Sequence, residues 1–171
     1  MSFSETVHTF PHGWATLTAA NWRKYPNLKT PHVISVDVLN RWVDPQTGVL
    51  YTERLLQCEQ KAPAILKWIG INVGDTAFFR ETSALDPRSQ HYEATSVNLT
   101  MRQYLTVEEV CTFVPDAAQP EAATEFRQKV RFTAVGVMDK IARAIESAAV
   151  SAFVRNAHKG REALDAVTHT I

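Results

Sequence analysis

The sequence predicts an α+β fold: a curved seven-stranded antiparallel sheet, with a short N-terminal helix and a long C-terminal helix that encloses a cavity against it. Seven extended runs alternate with period two and are mostly joined by short, turn-forming connections, which favours antiparallel neighbours because parallel pairs need long crossovers. The last third of the chain changes to a spacing of three and four, and no proline occurs from Asp139 to His169. With 171 residues and 45% hydrophobic content, the chain suits one domain spanning residues 1–171, with enough apolar material for a core or a lined hollow.

His8 and Phe10 close a short first strand, and Pro11, His12 and Gly13 break it. Trp14, Leu17, Thr18, Trp22 and Tyr25 then fall on one face of a helix that Pro26-Asn27 stops. Between Val33 and Val43, strict alternation places Ile34, Val36, Val38 and Trp42 on one side and Ser35, Asp37 and Arg41 on the other. Asp44-Pro45-Gln46-Thr47-Gly48 has turn chemistry, so Val49 to Glu59 is the return strand of a hairpin. Thr76 to Leu85 repeats the pattern before the turn at Asp86-Pro87-Arg88-Ser89. The remaining strands are His91 to Thr100, Thr106 to Val114 and Glu125 to Ala134, the last pair separated by the loop from Pro115 to Ala123. On the final helix Ile141, Ile145, Ala149, Ala152, Asn156, Gly160, Ala163 and Val167 form one stripe. At 1.5 Å per residue that helix is roughly 45 Å long, enough to cross the whole sheet.

Eighteen basic and eighteen acidic side chains balance, so bulk charge selects neither nucleic acid nor a membrane surface, and any charge-driven recognition is local. No run approaches the ~20 apolar residues of a spanning helix. Met1 to Phe10 lacks a basic region followed by an apolar one, so the expectation is a soluble chain without a secretory or presequence-type leader. Cys58 and Cys111 are the only cysteines and have no metal-ligand spacing, which favours buried free thiols over a bridge. Enzyme signatures are thin: no Gly-rich phosphate loop, no GxSxG and no HExxH occurs. His32, Asp37 and Glu53 offer an acid/base set that no nucleophile or metal completes, so no catalytic residue and no metal site is assigned.

Three features stand out. Arg54 shares a strand face with Leu50, Leu56 and Cys58, while Glu53 and Gln57 point the other way. Either its stem packs on the sheet while its head reaches water or an acidic neighbour, or its guanidinium lies at a cavity floor where the fork suits a phosphate. Asn156 interrupts the small and apolar stripe of the long helix, with Lys159 one turn further on, as a satisfied core amide or as a ligand contact. With Arg54 and Lys61, these residues would converge on one anion if the helix closes over the sheet. The connection from Lys61 to Gly70 is rich in large apolar residues where loops are ordinarily polar. Ile65, Leu66, Lys67, Trp68 and Ile69 suit a segment that dips into a bilayer interface, or a loop helix that caps the core.

Several blocks resemble the PRELI-like family in order along the chain. They are Trp-Arg-Lys-Tyr-Pro-Asn (22–27), Pro-His-Val-Ile-Ser-Val-Asp-Val-Leu-Asn-Arg (31–41), Thr-Glu-Arg-Leu-Leu (52–56), Glu-Thr-Ser-Ala-Leu-Asp-Pro (81–87), Asn-Leu-Thr (98–100) and Asn-Ala-His-Lys-Gly-Arg-Glu-Ala-Leu (156–164). Their wording is nearer to the slowmo-type branch. The resemblance implies a cup similar to the START and phosphatidylinositol-transfer folds. It also implies transfer of phosphatidylserine or phosphatidic acid across the mitochondrial intermembrane space, with bound phospholipid as cargo and no cofactor. Its partner would be a small helical protein with twin Cys-(x)9-Cys motifs, forming a heterodimer, with transient contact to the mitochondrial membranes. By motif position Lys24, His32, Arg54, Lys61, Asn156 and Lys159 fall where the family contacts the headgroup, and Lys61 to Gly70 falls on its lid loop. Cys58 and Ala152 stand where some family members carry lysine, which makes this pocket less basic and favours a larger headgroup. The alternative function is an adaptor that moves no lipid and uses the apolar loop to dock a helical protein.

Overall fold

The computed structural model describes residues 1–60, 70 and 74–170. Among them the elements are β1 (Ser2–Phe10), α1 (Trp14–Trp22), β2 (Val33–Val43), β3 (Leu50–Glu59), β4 (Thr76–Asp86), β5 (His91–Asn98), β6 (Leu105–Pro115), β7 (Thr124–Ala134) and α2 (Asp139–Thr168). One antiparallel sheet runs in the order β1-β7-β6-β5-β4-β3-β2. The strands from β2 to β7 form the expected meander, while β1 crosses through α1 to the far edge and pairs with β7.

Local chemistry sets the turns. The Asp44 carboxylate accepts the backbone N–H groups of Gln46 at 2.7 Å and Thr47 at 3.1 Å, and Asp86 accepts that of Arg88 at 2.9 Å. The outer face of the sheet carries exposed cross-strand ion pairs such as Arg80–Glu53 and Arg131–Glu108, which keep it solvated and contribute little stability.

One end of the sheet is a solid core. Phe10, Trp14, Leu17, Ala20, Tyr92, Ala94, Phe113, Phe126 and Leu164 pack together there, joining β1, α1, three central strands and the end of α2. Tyr92 stacks on Phe113 with ring centroids 5.1 Å apart, and the Trp14 indole N–H donates to the Phe113 carbonyl at 3.0 Å. Full burial of each such aromatic stabilises by roughly 1.5–3 kcal/mol. Over the rest of the concave face α2 packs on β7 and β1 at one edge of the sheet: Ile145 is fully buried, and Glu146 accepts from the Ala134 backbone N–H at 2.9 Å and the Ser2 hydroxyl at 3.0 Å.

Three expectations need correction. The first strand is not short, because β1 extends from Ser2 along the whole edge of β7. Helix α1 ends at Trp22, so Lys24 and Tyr25 belong to the connection rather than to the helical face. Strict alternation also fails in β2, where register shifts fall between Val33 and Ser35 and between Val38 and Asn40. Past the second shift Arg41 pairs with Thr52 and shares its inward face, while Trp42 pairs with Tyr51 on the outer one. Ile34, Val38 and Trp42 are all about half exposed on this edge strand.

Candidate functional site

The inward faces of the central strands carry polar residues among apolar ones, and register sets four of them side by side. Arg54 on β3 is opposite Glu81 on β4, Glu81 is opposite Ser96 on β5, and Ser96 is opposite Glu109 on β6. Gln128 on β7 closes the row by donating from its side-chain amide to the Glu109 carboxylate. The row crosses the concave face and lines a polar hollow of about 170 Å³ under α2. Adjoining it is a mostly apolar chamber of about 360 Å³, walled by residues including Phe79, Val107, Val130, Phe132, Ile145 and Ala149. Tyr25, His32, Leu56, Ser96, Glu109, Phe153 and Asn156 border both, so the two form one continuous amphipathic cavity.

Arg54 is buried, with 5% of its surface exposed, and its head both reaches an acidic neighbour and faces the cavity. It lines the polar hollow, and its Nε and Nη2 donate to Glu81 Oε1 at 2.9 and 2.6 Å. Its guanidinium carbon also lies 5.1 Å from the centroid of the Trp22 ring. The charge of Arg54 is thus balanced inside the protein.

Other groups give the hollow its net character. Lys24 lines it because α1 stops early, and a Cβ at Gly160 would stand 3.4 Å from the Lys24 Nζ, so the bare backbone of α2 makes room for the ammonium. Burial works to lower the Lys24 pKa, but Tyr25, Cys111 and Glu109 outweigh it, and the pKa is raised. Glu109 is pushed up chiefly by burial, which disfavours its charged form. Arg161 of α2 also lines the hollow, and its Nη1 is buried without a hydrogen-bond partner among the described residues. A buried donor left unpaired is costly, so it marks a place where an acceptor from outside the described residues fits. With Arg54 and Glu81 cancelling, the two cations Lys24 and Arg161 outweigh the single Glu109 carboxyl, and the hollow suits an anion.

His32 borders both parts, and burial, then Lys159 and Lys24, lower its pKa. Asn156 is an exposed residue at the rim of both. Lys159 is exposed and lines neither, although its charge reaches His32. Lys61, Ile65, Leu66, Lys67, Trp68 and Ile69 lie outside the described residues. Cys58 and Ala152 line the apolar chamber, and burial pushes the Cys58 thiol up to about 11. Both cysteines are free. The acid/base set does not assemble: Glu53 pairs with Arg80 on the outer face and Asp37 is exposed on β2.

Sequence reasoning missed Glu81, Glu109, Gln128 and Arg161. The signal for the first three was the one that singled out Arg54, a charged or amide side chain in a period-two face of small or apolar residues: Ala77, Phe79, Glu81, Ser83; Val107, Glu109, Cys111, Phe113; Phe126, Gln128, Val130, Phe132. Arg161 had no such signal, since it lies beside the helix stripe rather than in it.

The pattern of the PRELI-like family matches residues 15–171. Protein UPS2, mitochondrial, of Saccharomyces cerevisiae is 38% identical over 169 residues, covering 98% of this chain and 72% of that protein. The slowmo homolog of Dictyostelium discoideum is 35% identical over 168 residues, covering 96% of this chain and 71% of that protein. A START superfamily protein from Mycobacterium smegmatis has a similar fold, with a TM-score of 0.57 over 98% of this chain and 97% of that one, at 11% identity. A family pattern that spans nearly the whole length, and relatives more than a third identical over the same span, make this chain a member of the PRELI-like family.

Proposed function

We propose that this protein carries one anionic phospholipid, phosphatidylserine or phosphatidic acid, between the outer and inner mitochondrial membranes. It works in the intermembrane space as a heterodimer with a small twin Cys-(x)9-Cys protein and touches the membranes only transiently. The observation that carries the reading is the amphipathic cavity, in which the buried Arg161 Nη1, without a partner among the described residues, and the Lys24 ammonium stand at the polar end and the apolar chamber adjoins it. A phosphodiester or phosphomonoester accepts from such donors, and acyl chain in the apolar part is removed from water at ~0.8 kcal/mol per CH2. Family membership supports the mitochondrial setting, since one relative is named as mitochondrial. The reading is of passive transport, with no bond made or broken. Arg54 and Glu81 act mainly as the rigid floor, and Lys24, Arg161, His32 and Asn156 surround the headgroup.

The test is transfer between liposomes of stated composition, with the partner-bound protein and with Arg161→Gln. We expect acidic-lipid transfer to fall about tenfold, the scale of losing a hydrogen bond to a charged group, with the urea midpoint unchanged or raised. Unaltered transfer would remove Arg161 from the site. If native mass spectrometry of wild type finds no bound phospholipid and liposome assays find no transfer, the adaptor reading takes its place.

A further inference from the structure

We propose that His12, Asp165 and His169 form a binding site for a divalent first-row transition ion, Zn2+ foremost, where the β1–α1 turn meets the C-terminal end of α2. The site lies outside the amphipathic cavity and stands independently of lipid transfer. One ligand atom from each of the three residues lies within 4.8 Å of the other two. His12 Nε2 is 2.9 Å from Asp165 Oδ1, and His169 Nε2 is 3.9 Å from Asp165 Oδ2. Ligand atoms about 2.0–2.1 Å from a tetrahedral zinc stand roughly 3.3 Å from one another, between these two separations. Two imidazoles and one carboxylate are a ligand set suited to zinc, with the fourth position left to water.

Two of the ligands are held in place by their neighbours. Thr124, itself fully buried, donates its hydroxyl to the His12 carbonyl at 2.7 Å. The next residue, Gly13, packs so close to the Glu121 carbonyl that a Cβ would stand 2.8 Å from its oxygen. Phe10 and Trp14 anchor this turn in the core from either side. Asp165 follows the buried Leu164, and the Thr168 hydroxyl donates to the Asp165 carbonyl at 2.6 Å. His169, at the helix cap and 68% exposed at its side chain, is free to rotate the short distance inward. Without a metal, an Nε2–H on His12 satisfies Asp165 Oδ1 and the Thr168 hydroxyl, 3.0 Å away. Metal binding requires the other neutral tautomer, with the proton on Nδ1 and the Nε2 lone pair free. An ion at this point would fasten the end of α2 to the turn beneath it, joining segments more than 150 residues apart.

The experiment titrates Zn2+ into the full, untagged chain after chelator treatment, by calorimetry, with Co2+ as a visible-absorption probe. The expected result is one equivalent bound, Co2+ d–d bands of low coordination number that Zn2+ displaces, and a melting temperature that rises with Zn2+. His169→Ala and Asp165→Asn should weaken binding at least about tenfold. His158→Ala, at an exposed histidine outside the cluster, should bind as wild type does. Because His169 is exposed, its variant should keep the wild-type urea midpoint. Failure of the wild type to take up Zn2+ saturably, or undiminished binding by His169→Ala, would overturn the site and leave only a hydrogen-bonded clasp between His12 and Asp165.

Discussion

Arg54 on β3 and Glu81 on β4 stand directly opposite one another on the concave face, with Nη2 2.6 Å from Oε1 and both side chains almost wholly buried. A buried pair of this kind is expensive to break and nearly neutral to replace as a unit. Arg54→Met should therefore destabilise by about 3–5 kcal/mol, because it leaves Glu81 buried without its cation. Arg54→Met with Glu81→Met should recover most of that loss, and urea unfolding of the two variants measures the difference. A double variant no more stable than the single one would show that Arg54 contributes mainly through Trp22 and the sheet rather than through Glu81.

Glu109 has its pKa raised in the folded state, chiefly by burial. A raised carboxyl pKa costs stability above that pKa and relieves the cost as pH falls through it. Glu109→Gln should thus stabilise the protein at neutral pH and lose its advantage in acid, while its amide still accepts from Gln128. Urea midpoints across pH check the sign. In mixed liposomes the same variant should shift transfer toward phosphatidic acid, because removing the carboxylate leaves Lys24 and Arg161 less opposed. An unchanged lipid ratio would separate Glu109 from selectivity.

Glu146 shows the reverse shift. Burial acts to raise its pKa, but hydrogen bonds from the N-terminal amine, the Ala134 N–H and Ser2 dominate and the net direction is down. Its contribution is present above the ordinary glutamate value of 4.5 and is lost as pH falls through the lower folded value. Glu146→Gln should lower the melting temperature at pH 7, and the gap to wild type should close in acid. A gap constant with pH would mean that packing, not charge, sets the effect.

Gly160 lies inside α2, where alanine is favoured by about 1 kcal/mol. A Cβ there stands 3.4 Å from the Lys24 Nζ. Gly160→Ala should raise the melting temperature while slowing acidic-lipid transfer, since the new methyl group abuts the ammonium and takes space beside it. Faster or equal transfer would show that Lys24 does not need its present seat.

Strands, turns and the long helix were legible because period and turn chemistry are local properties of the chain, and so was the oddity of Arg54 on its apolar face. The order β1-β7 at the edge, the two register shifts in β2 and the early end of α1 were not, because each depends on partners distant in sequence. By itself the sequence determined that an arginine stands on the apolar face of the second hairpin strand. Only the tertiary structure decided that Arg54, Glu81, Ser96 and Glu109 share one level, that Glu81 answers Arg54, and that the Arg161 Nη1 has no hydrogen-bond partner among the described residues. The reason is physical: alternation chooses a side chain's face, but cross-strand register and the docking of α2 choose its neighbours, and burial makes those neighbours count.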